Sequence, residues 1–236
     1  MFLSDTVLTH VENVTEAPDL SGTRYTLEGL IGRGGMGSVW LARDTELDRE
    51  VAIKVTSQGP SPEAKVMARL EHPGIVPVHD AGTLGDGRVF YVMKRVRGER
   101  LDDWAAKHEL KARLRLFQRI CEAVAFAHAR GVLHRDLKPE NVMVGEFGEA
   151  LVMDWGLARR AEDPHPEGAV LGTPSYMAPE AARGEAASPA TDVYGLGALL
   201  YALVAGRAPH LGEHAREVLG KLARGEPPAP PGGPAP

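Results

Sequence analysis

Cysteine is almost missing from this chain of 236 residues; Cys121 stands alone. A disulfide within the chain and a cysteine-built zinc site are therefore excluded, and a lone thiol in an apolar helical run is read as a core residue. Such usage implies a reducing, cytoplasmic compartment. Positive charge is not in excess either: 27 Lys and Arg stand against 32 Asp and Glu, a net charge of -5. That balance argues against nucleic acid as a partner. Long apolar runs are also lacking. Val193 to Ala205, the longest, is too short to span a bilayer and contains Gly195 and Gly197, so a buried helix is expected and no membrane segment. Met1 to Gly22 lacks the basic start and apolar centre of a secretory leader.

What is present, 43% hydrophobic and 25% charged residues, suits one large globular domain or two small lobes. The most informative stretch is Val132 to Asn141. It packs His134, Arg135, Asp136, Lys138 and Asn141 into one short loop, with the apolar pair Val132-Leu133 before it and Val142-Met143-Val144 after it. A solvated turn needs no such apolar strands at both ends, whereas a loop that carries chemistry does. Upstream, Tyr25 to Val55 reads as three antiparallel strands, with the glycines of Gly32-Arg33-Gly34-Gly35-Met36-Gly37-Ser38-Val39 at the first turn. A dinucleotide-binding fold competes for the spacing G-x-G-x-x-G, but it requires a helix directly after the glycines, and here a strand with Val39 and Trp40 follows. Lys54 sits in Val51-Ala52-Ile53-Lys54, either as an edge lysine that reaches water or as a charge for a phosphate.

Strands are further expected at Ile75 to Val78 and Val89 to Val96, around the turn Gly85-Asp86-Gly87. A short helix is expected from Arg100 to Leu110. A longer one, from about Leu114 to Arg130, has Leu116, Ile120, Val124 and Ala127 on one face and Gly131 as its left-handed stop. His128, with no second ligand at metal spacing, is read as a packed or capping residue.

Together these motifs resemble the eukaryotic-type protein kinases, specifically the bacterial serine/threonine kinases of the Hanks type. The loop matches H-R-D-L-x-x-x-N with Lys after the Leu, the glycines match the flap over ATP, and Val-Ala-Ile-Lys matches the strand that carries the phosphate-binding lysine. The resemblance implies an α+β, bilobal fold: an antiparallel sheet plus one helix in the first lobe, and a mainly helical second lobe. Residues 1–24 are then an extension, 25–96 the first lobe, 97–226 the second and 227–236 a Pro/Gly-rich linker or tail.

It also implies roles. Asp136 is the base for the acceptor hydroxyl and Lys138 the cation at the γ-phosphate; Asn141 and Asp154 hold Mg2+. Nucleotide contacts fall to Gly32, Gly34, Gly37, Val39, Ala52, Lys54, Met93 beside the adenine, Lys94 to Val96 as the hinge, and Met143. Glu63 pairs with Lys54, although the segment between them is short, and a plain surface glutamate is the alternative. Thr173, in Gly172-Thr173-Pro174-Ser175-Tyr176-Met177-Ala178-Pro179-Glu180, is expected to bond to Asp136 and Lys138, and Asp192 to brace the loop backbone. ATP and Mg2+ are the implied cofactors, and proteins bearing Ser or Thr the implied substrates.

Three departures from the family pattern stand out. Trp155 replaces the usual Phe after the metal aspartate, with Met67 and His134 as expected packing partners. No Ser, Thr or Tyr lies between Gly156 and Gly172, so either an acid among Glu162, Asp163 and Glu167 replaces an ordering phosphate or the segment is ordered some other way. The resemblance ends near Arg224, where the family continues with further helices and an arginine partner for Glu180. A replacement cation or exposure to water is therefore expected at Glu180. A pseudokinase that binds nucleotide or a partner without catalysis is the alternative reading.

Overall fold

Apolar and β-branched residues alternate between Tyr25 and Thr56, and they form three antiparallel strands: β1 (Tyr25–Gly34), β2 (Gly37–Asp44) and β3 (Arg49–Thr56). The computed structural model describes residues 17–34, 37–56, 66–67, 69–155, 159–160 and 170–232. Strands β4 (Val78–Thr83) and β5 (Val89–Lys94) complete a five-stranded sheet in the order β1-β2-β3-β5-β4. Central strand β3 is buried on both faces. Val51, Ile53 and Val55 join Trp40, Ala42, Phe90 and Val92 in one core, which Leu20 and Tyr25 also enter. The chain divides into two compact units. This sheet belongs to the first, which contains the chain up to Glu71 together with Val76–Val96; the second contains His72–Ile75 and the chain from Arg97 onward.

The expected strand from Ile75 to Val78 is not formed. Ile75 makes only a single parallel bridge with Val152 in the second unit, and β4 starts at Val78. Apolar character alone suggested a strand there, but Pro77 has no N–H to give to a ladder. Its carbonyl accepts from Lys94 N–H at 3.1 Å, and β5 ends at Lys94 rather than Val96.

The second unit is mainly helical. A short strand β6 (Gly98–Arg100) leads into helix α1 (Leu101–Ala106), which is followed by α2 (Leu110–His128). The buried face of α2 carries Leu116, Ile120, Ala123, Val124 and Ala127, the spacing of one helical stripe. Gly131 follows at φ 70°, the left-handed stop that the sequence leads one to expect. Strand β7 (Val132–Leu133) comes next, then a 3-10 turn at Pro139–Asn141, β8 (Val142–Gly145) and β9 (Ala150–Val152). Strands β6, β8 and β9 form a small sheet, and β7 pairs with β10 (Arg159–Arg160).

Three helices close the unit: α3 (Pro179–Ala182), α4 (Pro189–Ala205) and α5 (Ala215–Ala223). Ser188 caps α4, accepting from Ala190 N–H, and Gly206 ends it at φ 69°. The helix is not buried all round, as its composition suggested. Val193 and Val204 stand exposed while Asp192, Leu199 and Leu203 face inward. Among the described residues no helix is long and apolar enough to cross a membrane.

Candidate active site

Strand register places the expected nucleotide residues of the first unit on one face of the sheet. Directly opposed residues of antiparallel strands share a face. Gly32 opposes Val39, Val39 opposes Lys54 and Lys54 opposes Tyr91; in the next row Leu41 opposes Ala52 and Ala52 opposes Met93. These rows lie opposite the face on which Val51, Ile53 and Val55 form the core. Lys54 is 5% exposed, with its Nζ 5.8 Å from the Tyr91 ring centroid. Burial of a lysine cation on a sheet face is costly unless a partner or ligand offsets it.

The glycines differ in their surroundings. A Cβ on Gly37 would lie 2.1 Å from the Val55 carbonyl oxygen, and its φ is 139°, so only glycine fits. Gly32 and Gly34 face open space, so packing does not demand glycine there. Glu63 lies outside the described residues, as do Glu162, Asp163 and Glu167.

In the second unit, the short loop after β7 is held from several directions. Thr173 donates to Asp136 Oδ1 twice, through its N–H and its Oγ1, both at 2.9 Å. Lys138 Nζ lies 2.8 Å from Asp136 Oδ2 and donates to Thr173 Oγ1 at 2.6 Å. Asn141 Nδ2 donates to the Asp136 main-chain oxygen at 2.7 Å and to Oδ2 at 3.1 Å. Both oxygens of one carboxylate are thus fixed by three side chains, from positions up to 37 residues away. Gly172 permits the approach: at φ 115° it lies beside the loop, where a Cβ would meet the Arg135 carbonyl oxygen at 3.2 Å.

Beneath this loop lies Asp192, only 2% exposed. Its carboxylate accepts from the N–H groups of His134 and Arg135, each at 2.8 Å, and from His128 Nε2 at 2.8 Å. Burial pushes its pKa up, but the His128 hydrogen bond and the two backbone donors outweigh that and leave it below the ordinary aspartate value. His128 is thus the side-chain partner of Asp192, a role that its helical position alone did not reveal.

His134 is fully buried. Its Nε2 lies 3.0 Å from the Met153 carbonyl, while its Nδ1 accepts from Asp136 N–H at 3.3 Å. Those two contacts fix the Nε2–H tautomer. Trp155, with no exposed surface, packs tilted against His134, with 4.6 Å between ring centroids and 56° between ring planes, one of the partners expected for the larger ring. Arg135 (φ 71°) and Asp154 (φ 55°) both hold left-handed backbone. Residues with a Cβ avoid that region at a cost of about 1 kcal/mol or more each, and such strain gathers at functional sites.

Glu180 departs from expectation. Its partner is neither a cation nor water alone but the Thr191 hydroxyl, which donates to Oε1 at 2.9 Å while accepting from Ser188 N–H at 3.0 Å. The carboxylate is only half-buried, so a neutral donor is enough to hold it there.

A sheet unit with a glycine flap and an inward lysine, joined in one chain to a helical unit with a braced Asp-Lys-Asn loop, defines the α+β protein-kinase-like fold class. Sequence comparison agrees, since residues 25–225 match the protein kinase domain. The chain belongs to the protein kinase family. Serine/threonine-protein kinase PknA of Mycobacterium tuberculosis is 42% identical over 231 residues, covering 89% of this chain and 53% of that protein. Serine/threonine-protein kinase PknD of Chlamydia muridarum is 36% identical over 243 residues, covering 83% of this chain and 26% of the relative. The chain thus spans about half the length of PknA and a smaller share of PknD. Proteins of this family use ATP and a divalent metal.

Proposed function

We propose that this chain transfers the γ-phosphate of ATP, with Mg2+, to Ser and Thr hydroxyls of protein substrates, as part of bacterial signalling in the cytoplasm. The observation that carries this reading is the clamped carboxylate of Asp136, held by Thr173, Lys138 and Asn141.

Phosphoryl transfer asks a protein mainly for positioning and charge compensation. In this reading Asp136 orients the acceptor hydroxyl and takes its proton as the oxygen attacks phosphorus. Lys138, already beside Asp136, offsets negative charge on the phosphoryl oxygens during transfer. Lys54 binds the α- and β-phosphates, and Glu63 supports it. Gly32, Gly34 and Gly37 let the flap approach the phosphates. Val39, Ala52, Met93, the stretch Lys94 to Val96 and Met143 receive the adenine. Lys94 N–H already serves Pro77, so the stretch would offer its carbonyls and the Val96 N–H.

The donor chemistry of Asn141 and Asp154 suits a hard cation. The amide nitrogen of Asn141 is turned to Asp136, which leaves its oxygen as the acceptor, and Asp154 adds a carboxylate. Among the described residues no group of three or more His, Cys, Asp or Glu could hold a metal. A site with one carboxylate and one amide relies on phosphate oxygens and water, as Mg2+ sites commonly do. When bound, the ion would neutralise charge on the phosphates.

The test is incubation with labelled ATP, Mg2+ and a generic protein substrate, followed by phosphoamino-acid analysis. Phosphoserine and phosphothreonine are expected. Nucleotide binding with no label in protein would instead favour the pseudokinase reading.

A further inference from the structure

Helix α2 carries a second surface, on the side opposite the stripe that it buries. Two neighbouring rows stand there, Leu110 with Leu114 and Lys111 with Arg115, and together with Gln118 they line a shallow groove. Leu110 and Leu114 are 48% and 43% exposed, and both cations beside them are exposed. Arg119 continues the basic row by one turn and donates to the Gly148 carbonyl at 2.8 Å. That contact ties the β8–β9 turn to the helix, and the turn bears Phe147 with 94% of its surface exposed. Three large apolar side chains thus stand in water among three cations, and none of the roles above uses them.

The acids of the same elements, Glu109, Glu122, Glu146 and Glu149, do not line the groove. Glu122 accepts from Gln118 Nε2 at 3.4 Å, and Glu149 accepts from the Phe147 N–H at 3.1 Å. The groove therefore offers two leucines and two cations without an anion, and its complement is a segment that mixes carboxylates with apolar side chains. The chain itself contains such a segment. Met1 to Glu16 has three acids, Asp5, Glu12 and Glu16, and no Lys or Arg, while Leu3, Val7, Leu8, Val11 and Val14 are interleaved with them. Length is no obstacle: Leu110 to Arg119 covers only about 14 Å of helix, and sixteen residues reach up to about 50 Å when extended.

We propose that this surface docks residues 1–16 of a second copy of the chain. Lys111, Arg115 and Arg119 pair with the three acids, and Leu110, Leu114 and Phe147 receive the apolar residues between them. The proposal is independent of the protein-kinase reading, because none of these residues has a role in phosphoryl transfer.

The experiment combines sedimentation of the full chain over a range of concentrations with calorimetric titration by a synthetic peptide of residues 1–16. Self-association is expected, weakening as salt rises, and added peptide is expected to disperse it. Lys111→Glu/Arg115→Glu should weaken both association and peptide binding at least tenfold, with a melting temperature equal to that of the wild type because both side chains are exposed. Adding Asp5→Lys/Glu12→Lys to that variant should restore association, a rescue that a merely structural effect of the reversed charges would not show. A chain that stays monomeric throughout, a peptide that binds the reversed groove as tightly as the wild type, or a charge swap that restores nothing overturns the proposal. Association that survives removal of residues 1–16 but still requires Arg115 assigns the groove to another part of the second copy and overturns the choice of segment.

Discussion

At the scale of single residues, two carboxylates of the helical unit differ in their surroundings. Asp136 is bound by donors that also suit a substrate, and it is a candidate for chemistry. Asp192 is buried among donors that belong to the fold. Its removal is therefore expected to act through stability as well as turnover: Asp192→Ala leaves two buried N–H groups and His128 without their acceptor, a loss of roughly 2–4 kcal/mol. Denaturant unfolding measures it, and a midpoint equal to that of the wild type would count against the bracing role. The pH dependence has a definite sign. The folded pKa of Asp192 is depressed, so its contribution is complete above the unfolded value of about 4 and is lost as pH falls through the folded value.

His210 gives a second pH effect at higher pH. It is 5% exposed, and Tyr194 Oη lies 2.7 Å from its Nε2. Burial, and then Lys221, hold its pKa below the ordinary histidine value. Above about pH 6.5 it is neutral in both states and adds no pH dependence; below that, protonation favours the unfolded chain. The thermal midpoint should therefore fall between pH 7 and 5, and His210→Phe should flatten the fall. An unaltered slope in that variant would remove His210 from the explanation.

Among the elements, the glycine flap allows stability to be separated from ligand binding. Gly37→Ala pushes a Cβ against the Val55 carbonyl, and the strain should destabilise the sheet unit by about 1–3 kcal/mol. Gly34→Ala meets open space and should leave the melting temperature nearly unchanged while weakening ATP binding. Calorimetry of both variants with and without nucleotide distinguishes the two positions. The segment after α5 yields a further test. Tyr201 Oη donates to the Ala229 carbonyl at 2.8 Å and Arg207 donates to that of Pro230 at 3.3 Å, so residues 227–232 rest on the end of α4 rather than forming the bare linker their composition suggested. Tyr201→Phe should raise amide hydrogen exchange across the non-proline residues Ala229 and Gly232, and equal exchange in both proteins would show that the contact contributes little.

These elements also show why some features could be read from the sequence and others could not. The flap, the strand lysine and the Asp136 loop each occupy a few consecutive residues, so local spacing exposes them. The Thr173 clamp and the Asp192 brace join positions 37 and 57 residues apart, and only resemblance to a family suggested them. His128 looked like packing because its partner lies on a different helix. The left-handed backbone of Arg135 and Asp154 leaves no trace in composition at all. The misread strand at Ile75 has the opposite cause: its apolar residues are local, but their pairing partner, Val152, is not.

For the whole molecule, two units carry complementary equipment: an ordered row of small and apolar residues around Lys54 in one, and a clamped Asp136 in the other. Family membership explains why both occur in one chain, and the Thr191–Glu180 contact shows that a hydroxyl can take up a carboxylate for which a cation or water was expected. The central claim is that Asp136 acts on the acceptor hydroxyl rather than on folding or nucleotide affinity. Its most direct test is single-turnover phosphoryl transfer to a protein substrate, measured beside ATP affinity and melting temperature, for the wild type and Asp136→Asn. The account predicts unchanged ATP affinity, a melting temperature within a few degrees, and transfer reduced by about 10²–10⁴-fold; equal transfer by the two proteins would contradict it.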